Sequence, residues 1–383
     1  MSIQAPFRAD VVGSYLRPDY LHQARREFFA GKLSQEGLTA VEDTAITELV
    51  EKQKALGLSV ITDGEFRRSW WHLDFMWGLG GVEKVSIGEG YKFANMNARA
   101  ESAALTGKIT GHDHPFIEHF KFLQRFAEEG IVPRLTIPAP AQFLKELERE
   151  PNLAQTRAIY PDREALLADI VDAYQTVIQE VYAAGCRNLQ LDDCTWGMLT
   201  DPKFQKTAGQ LVDSCGCGDD HQVDTHAKLN EILNTHLRIN NAALAGCPDD
   251  LVLTTHVCRG NFRSTWAASG GYESVAEVLF GQLNVDAFYL EFDTERAGDF
   301  TPLRHLAEGK KVVLGLVSSK VPELEAIDDV IERIKEASQY VPLENLYLST
   351  QCGFASTEEG NDVTQAQQWA KIKLVQEVAK RVW

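Results

Sequence analysis

Eight short, almost wholly aliphatic runs, with helical patterns between most of them, constrain this chain more than any other feature. They fall at residues 10–13, 59–62, 134–137, 188–191, 251–254, 287–290, 311–314 and 346–349. Strands that are apolar on both faces suit a parallel sheet covered by helices rather than a half-exposed antiparallel one. The clearest helix, 163–184, sets Leu166, Leu167, Ile170, Val171, Tyr174, Val177, Ile178, Val181 and Tyr182 on one face, and Gly185 supplies its stop. Similar faces are expected at Leu324, Ile327, Val330, Ile331 and Ile334, and at Leu229, Ile232 and Leu233. Eight strand-helix repeats predict an α/β fold, a closed (β/α)8 TIM barrel in preference to an open doubly wound sheet. One such domain would take up residues 1–383. The stretch 78–116, between the second and third strands, holds Tyr91, Phe93, His112 and His114 and is too long for a simple crossover. It is expected to form an inserted hairpin or lid on the barrel mouth.

A net charge of −17 argues against nucleic-acid and membrane-surface partners, both of which would repel the chain, and leaves a small-molecule substrate as the default. The N-terminal residues lack a basic-then-apolar signal pattern, and no apolar run approaches the ~18 residues of a membrane span. A cytoplasmic protein is expected. Seven cysteines, scattered and odd in number, do not form a disulfide framework, so a reducing compartment leaves some free to bind metal.

In a parallel barrel the C-terminal ends of all strands open on one face, so residues remote in sequence converge there. His256 and Cys258 close the fifth run, Glu291 the sixth and Cys352 the eighth. Positions two apart on an extended segment point the same way, which lets His256 and Cys258 chelate together. Alone, each would ordinarily be a packed thiol or a hydrogen-bonded histidine. Together, one imidazole, two thiols and one carboxylate suit zinc. Cys215, Cys217 and His221 also have ligand spacing, but they sit in a polar, glycine-rich stretch with no strand before it. His112 and His114 are expected to be solvated or locally hydrogen-bonded, His226 and His236 to lie on a helix surface, and Cys186, Cys194 and Cys247 to be packing or loop residues.

Three more run ends face the same mouth, carrying Ser14, then Asp63 and Glu65, then Asp192 and Asp193. Grouped carboxylates raise one another's pKa unless cations are present, and a substrate ammonium together with a divalent metal would supply them. Glu65 and Asp192 are the functional candidates, while Asp63 and Asp193 serve equally well as loop caps. The segment from Arg67 and Arg68 through Trp70, Trp71 and His72 suits either a planar or anionic methyl donor or an aromatic cluster beneath the lid.

These residues resemble the catalytic domain of cobalamin-independent methionine synthase, and more closely its short single-barrel relatives, over almost the whole chain. Gly13-Ser14 resembles the family's opening motif, Gly64-Glu65 its Gly-Glu motif, Gln190-Leu-Asp192 its Gln-x-Asp motif, and His256-x-Cys258, Glu291 and Cys352-Gly353 its zinc ligands in order. The resemblance implies that zinc holds homocysteine sulfur as a thiolate for attack on a methyl donor. It also implies that the catalytic carboxylates Glu65 and Asp192 hold the amino group, and Ser14 the carboxylate. The family's proton-donating histidine after the seventh strand is replaced here by Ser318, with Lys320 nearby. Methyltetrahydrofolate needs its leaving nitrogen protonated. A methylcorrinoid, free or carried by a corrinoid protein, or another activated methyl compound needs no such acid.

Three other readings compete: a zinc-dependent alkyltransferase using another thiol with an epoxide or alkyl electrophile, a binding module with structural zinc, and a metal-free barrel decarboxylase of the porphyrin type. Metal content and thiol specificity separate them.

Overall fold

The computed structural model describes residues 5–205 and 225–383. Its strands are β1 (Val60–Ile61), β2 (Gly80–Ser86), β3 (Glu101–Thr110), β4 (Val132–Pro133), β5 (Leu135–Pro138), β6 (Asn188–Asp193), β7 (Val252–Val257), β8 (Ala287–Glu291), β9 (Lys311–Val317) and β10 (Leu346–Thr350). Strands β5 to β10 form one parallel sheet whose spatial order follows the sequence. A doubly wound sheet reverses direction at a switch point. This one does not, so every crossover carries its helices over the same outer face.

The burial pattern explains why the apolar runs were readable as strands. β6, β8 and β10 are buried at every position, as expected where helices cover one face and side chains fill the other. The helix Arg163–Ala183 buries Leu166, Leu167, Ile170, Tyr174, Val177, Ile178 and Val181. Gly185 follows at φ 101°, the left-handed region that ends a helix cheaply only with glycine. The helix Ile327–Ala337 buries Val330 and Ile334, but Leu324 precedes it and stays exposed. In the helix Thr225–Leu244, Leu233 is buried.

The first expected strand, 10–13, forms no ladder. Ala9 makes a single parallel bridge to Leu348 and Ser14 another to Gly64. Between them the Asp10 carboxylate accepts bonds from Phe7 N at 2.9 Å and Val11 N at 2.7 Å, which turns the backbone away from a regular strand. Likewise β1 reduces to two residues, paired in parallel with β4.

Residues 78–116 do contain a hairpin: β2 and β3 pair antiparallel, with Val82 opposite Leu105. Its far end crosses to the loop after β7, where Phe93 stacks on Phe262 at 5.2 Å and Ala94 N bonds Trp266 O at 2.8 Å. Arg99 ties the returning arm to Glu358 at 2.7 Å and Glu359 at 3.0 Å.

The interior of the sheet carries a buried polar triad. Arg134 pairs with Asp10 at 2.9 Å and bonds Tyr289 Oη at 2.6 Å, with both charged side chains fully enclosed. Removing one partner of such a pair strands the other charge. Arg134→Leu should therefore lower stability by about 3–5 kcal/mol, read from urea denaturation midpoints; an unchanged midpoint would show that Asp10 is neutralised some other way.

Candidate metal centre and substrate cavity

Strand register gathers the expected ligands. Asp192 pairs with His256 across β6 and β7, His256 pairs with Tyr289 across β7 and β8, and Glu291 ends β8 opposite Gly315 of β9. A Cβ at Gly315 would meet Gln351 Cα and Leu290 O at 2.7 Å each, so this close approach of β9 to its neighbours requires glycine. His256, Cys258, Glu291 and Cys352 each bring one ligand atom to within 4.8 Å of all the others, and all four residues are buried. Tetrahedral ligands on bonds of about 2.0–2.3 Å stand roughly 3.3–3.8 Å apart, so a small contraction closes the group on an ion.

The atoms themselves fit a cation. His256 Nδ1 donates to Tyr289 O at 3.2 Å, so once the ring is neutral its lone pair lies on Nε2, a buried atom with no hydrogen-bond partner. Cys258 Sγ lies 3.5 Å from Glu291 Oε1 and 3.7 Å from Cys352 Sγ. Gly260 N also donates to the Cys258 sulfur at 3.3 Å.

Charge at the site is unevenly shared. Hydrogen bonding to Cys194 and Cys352, with burial, pushes the Cys258 thiol well above its usual range. Bonding to Cys258, with His256 and Lys320 acting against burial, holds Cys352 well below it. Burial alone would lower the His256 imidazole, but Cys352, Asp192 and Glu291 outweigh it and raise the group to about 9. Burial would raise Glu291, yet Lys320, Arg296 and Arg259 bring it down to about 2.

Beside this group lie Glu65, paired with the buried Arg68 at 3.5 Å, and Asp192, which has no ion-pair partner among the described residues. Glu65 sits at φ 60° after Gly64 at φ 67°, in a turn braced by Asp63 Oδ1 accepting from Glu65 N at 2.9 Å. A left-handed glutamate costs about 1–3 kcal/mol, and such strain tends to mark working residues. Burial, joined by Asp63 and opposed by Arg68 and Arg17, raises the Glu65 carboxyl, whose buried Oε2 has no partner. Asp192 rises to about 7, through burial first, with Glu65 and Cys352 adding and His256 opposing. Ser14 lies close by, its Oγ accepting from Ala355 N at 3.2 Å, and a Cβ on Gly353 would overlap that oxygen.

Ser14, Glu65, Asp192, His256, Cys258 and Cys352 all line one cavity of about 710 Å3. Its outer wall includes Trp71, His72, Tyr91 and Phe93, so the hairpin contributes to it. Neither arginine before that aromatic stretch lines the cavity: Arg67 pairs with Glu42 and Asp43, and Arg68 pairs with Glu65 at 3.5 Å, donates to Thr136 O at 2.8 Å and covers the Phe116 ring. Ser318 and Lys320, at the place expected of a proton donor, are likewise bonded, to Asp293 at 2.8 Å and Asn261 at 3.1 Å.

Other candidates separate clearly. His112 is exposed beside Glu180, whereas His114 is buried and bonds Phe75 O at 2.8 Å. His236 was expected on a surface but is buried edge-on against Trp196, because its helix packs over the one that follows β6. Asp193 caps that short helix, bonding Thr195 N at 2.8 Å. Cys215, Cys217, His221 and the side chain of His226 lie outside the described residues.

Comparison with known proteins agrees with this arrangement. A family model described as the catalytic domain of cobalamin-independent synthase matches residues 155–380. The chain is 45% identical to the Bacillus subtilis (strain 168) protein YxjH, over 99% of this chain and 96% of that one. It belongs to the cobalamin-independent methionine synthase family. A methionine synthase from Pyrococcus abyssi is 25% identical over 90% of this chain and 85% of its own length. A Listeria monocytogenes crystal structure, provisionally described as a vitamin-B12 independent methionine synthase, superposes with a TM-score of 0.73 at 39% identity, covering 99% and 98% of the two chains. At 19% identity, a Shewanella sp. W3-18-1 B12-independent methionine synthase shares the fold with a TM-score of 0.69 over 99% and 98%.

Within this cobalamin-independent methionine synthase relative, Cys194, expected as a packing or loop residue, touches Cys258 and Cys352 at the site. Sequence reasoning passed over Glu146, which accepts bonds from Tyr91, Ser102 and Arg149 under the hairpin. Cys194 follows Asp193 at a strand end, and that position was the available signal.

In the metal-free chain His256 is protonated below pH about 9 and Cys258 is a thiol, and both must lose protons to become ligands. Metal binding should thus tighten steadily from pH 6 to pH 9 and release protons in calorimetry run in buffers of different ionisation enthalpy; pH-independent binding without proton release would contradict this ionisation pattern.

Proposed function

We propose that the chain is a zinc-dependent methyltransferase that transfers a methyl group to the thiol of homocysteine and so forms methionine. The observation that carries this reading is a four-residue His, Cys, Glu, Cys group beside two buried carboxylates, Glu65 and Asp192, whose burial outweighs the charges around them and pushes both upward. His256, Cys258, Glu291 and Cys352 would hold the metal. Bound there, zinc would lower the pKa of the substrate sulfur and keep it as a thiolate.

The protein's own groups would do the rest. Glu65 and Asp192 would grip the substrate ammonium, and its charge would in turn hold both carboxylates ionised. Ser14 Oγ, at the mouth beside Gly353, would meet the substrate carboxylate. The sulfur would then attack the methyl carbon in line, forming the S–CH3 bond as the bond to the donor breaks, with the donor seated against Trp71, His72 and Tyr91. A cavity of about 710 Å3 has room for an amino-acid thiol and a second, drug-sized molecule. The Shewanella relative was solved with selenomethionine, the selenium counterpart of the proposed product.

On this reading residues 1–383 work as one catalytic domain. The bridges from Ala9 to Leu348 and from Ser14 to Gly64, with the β1–β4 pair, would then close the sheet into an eight-stranded barrel, with the hairpin as its lid. The donor can be a methylcorrinoid or another activated methyl compound, since Ser318 and Lys320 are bonded elsewhere.

Chelation should abolish methionine formation without unfolding the chain, and zinc should restore it; loss of fold with the metal would favour a structural ion. Cys352→Ser should remove thiol alkylation while circular dichroism stays unchanged, and near-normal turnover would reject the ligand assignment. Glu65→Gln and Asp192→Asn should each raise the KM for homocysteine by about 10–100-fold at unchanged metal content, the cost of a charged hydrogen bond. A protein inert to homocysteine but active on another thiol would shift the reading to a general thiol alkyltransferase.

A further inference from the structure

The proposed ligand set and substrate grip leave one thiol at the mouth unused. Cys194 directly follows β6, and the β6–β7 ladder pairs Asp192 with His256 and Asp193 with Val257. Cys258 N continues it by bonding Asp193 O at 3.4 Å, so the next rung sets Cys194 opposite Cys258. Neighbouring strands run about 4.8 Å apart, inside the roughly 4.4–6.8 Å between Cα atoms that a disulfide spans. The two side chains are buried in contact, in a cluster with Cys352 flanked by Trp71 and Met198. The short helix beginning at Cys194 is pressed into place, because a Cβ on Gly197 would overlap the Cys258 carbonyl oxygen.

Access and freedom from the ligand set single out Cys194 among the three thiols. Cys194 lines the cavity, and so does Lys145, whose ammonium has no hydrogen-bond or ion-pair partner among the described residues. Cys194 is also the most accessible of the three, at 9% against 6% for Cys258 and 3% for Cys352. With Cys258 and Cys352 engaged as ligands, Cys194 is the remaining free sulfur there.

We propose that Cys194 is an oxidation site, where a small hydroperoxide entering the cavity drives formation of a Cys194–Cys258 disulfide that dismantles the metal centre. In the first step the O–O bond breaks: one oxygen becomes the sulfenic acid of Cys194, and the other leaves as water or an alcohol. In the second, the Cys258 sulfur, a thiolate once it leaves the metal, forms the S–S bond and displaces the sulfenic oxygen, which leaves as water with a proton taken from solvent. The Cys194 thiol and the Cys258 thiolate together lose two electrons, which the peroxide takes up with the Cys194 proton and one from solvent. Release of the metal rests on the ligand assignment proposed above, whereas the disulfide does not.

The test treats the zinc-loaded full chain with hydrogen peroxide and follows zinc with a chromogenic chelator and cross-links by non-reducing peptide mapping. A Cys194–Cys258 link, release of the bound zinc and reversal of both by dithiothreitol are expected. Cys194→Ala should slow zinc release by about tenfold or more. A Cys258–Cys352 link instead, no link at all, or wild-type release from Cys194→Ala would overturn the proposal. If that variant does not fold, the wild-type peptide map decides alone. If the chain holds no zinc, the ligand assignment fails, and mapping of the metal-free chain still decides whether Cys194 and Cys258 join.

Discussion

A parallel sheet wound in one direction delivers the C-terminal residue of every strand to the same edge, and everything at the mouth depends on that. In register, Asp192, His256 and Glu291 fall at the ends of consecutive strands, with Cys258 and Cys352 one or two residues beyond theirs. A slip of one residue would turn His256 to the other face of the sheet, and the ligand group would cease to exist. Gly315 shows how tightly the register is set, since no larger residue fits between β8 and β10 there.

Convergence has an electrostatic consequence. Two thiols and three carboxylates are brought together out of water, where unpaired charge is costly. The chain compensates in part: Lys320, Arg296 and Arg259 hold Glu291 ionised, and Cys352 shares its charge with His256. For Glu65 and Asp192 such help falls short: Arg68 and Arg17 beside the first and His256 beside the second do not offset burial, and both are pushed upward. A site whose buried carboxylates stay raised despite the charges around them, beside two thiols and an imidazole, is complementary to a divalent cation and an ammonium.

Much of this was legible in the sequence because buried parallel strands are written as unbroken apolar runs, and chemistry-bearing residues follow those runs directly. His256, Cys258, Glu291 and Cys352 could be placed on one rim by that rule alone. Local patterns could not report how a segment is used once packed. Residues 10–13 look like a strand, but Asp10 spends its hydrogen bonds on the turn and on Arg134. His236 lies in a polar helical stretch, yet Trp196 arrives from a distant segment and buries it. Cys194 looks like a lone thiol until the rung opposite it is known to be Cys258. The hairpin was readable from its length, but its reach to Phe262 and Trp266 was not, because that contact joins two loops.

The central claim is that these four side chains share one ion that accepts an incoming thiol, and X-ray absorption at the metal edge tests it most directly. The chain as purified should show a zinc shell with two sulfurs, from Cys258 and Cys352, and homocysteine should raise the sulfur count to three. A protein without metal, or a sulfur count that homocysteine leaves unchanged, would contradict the account.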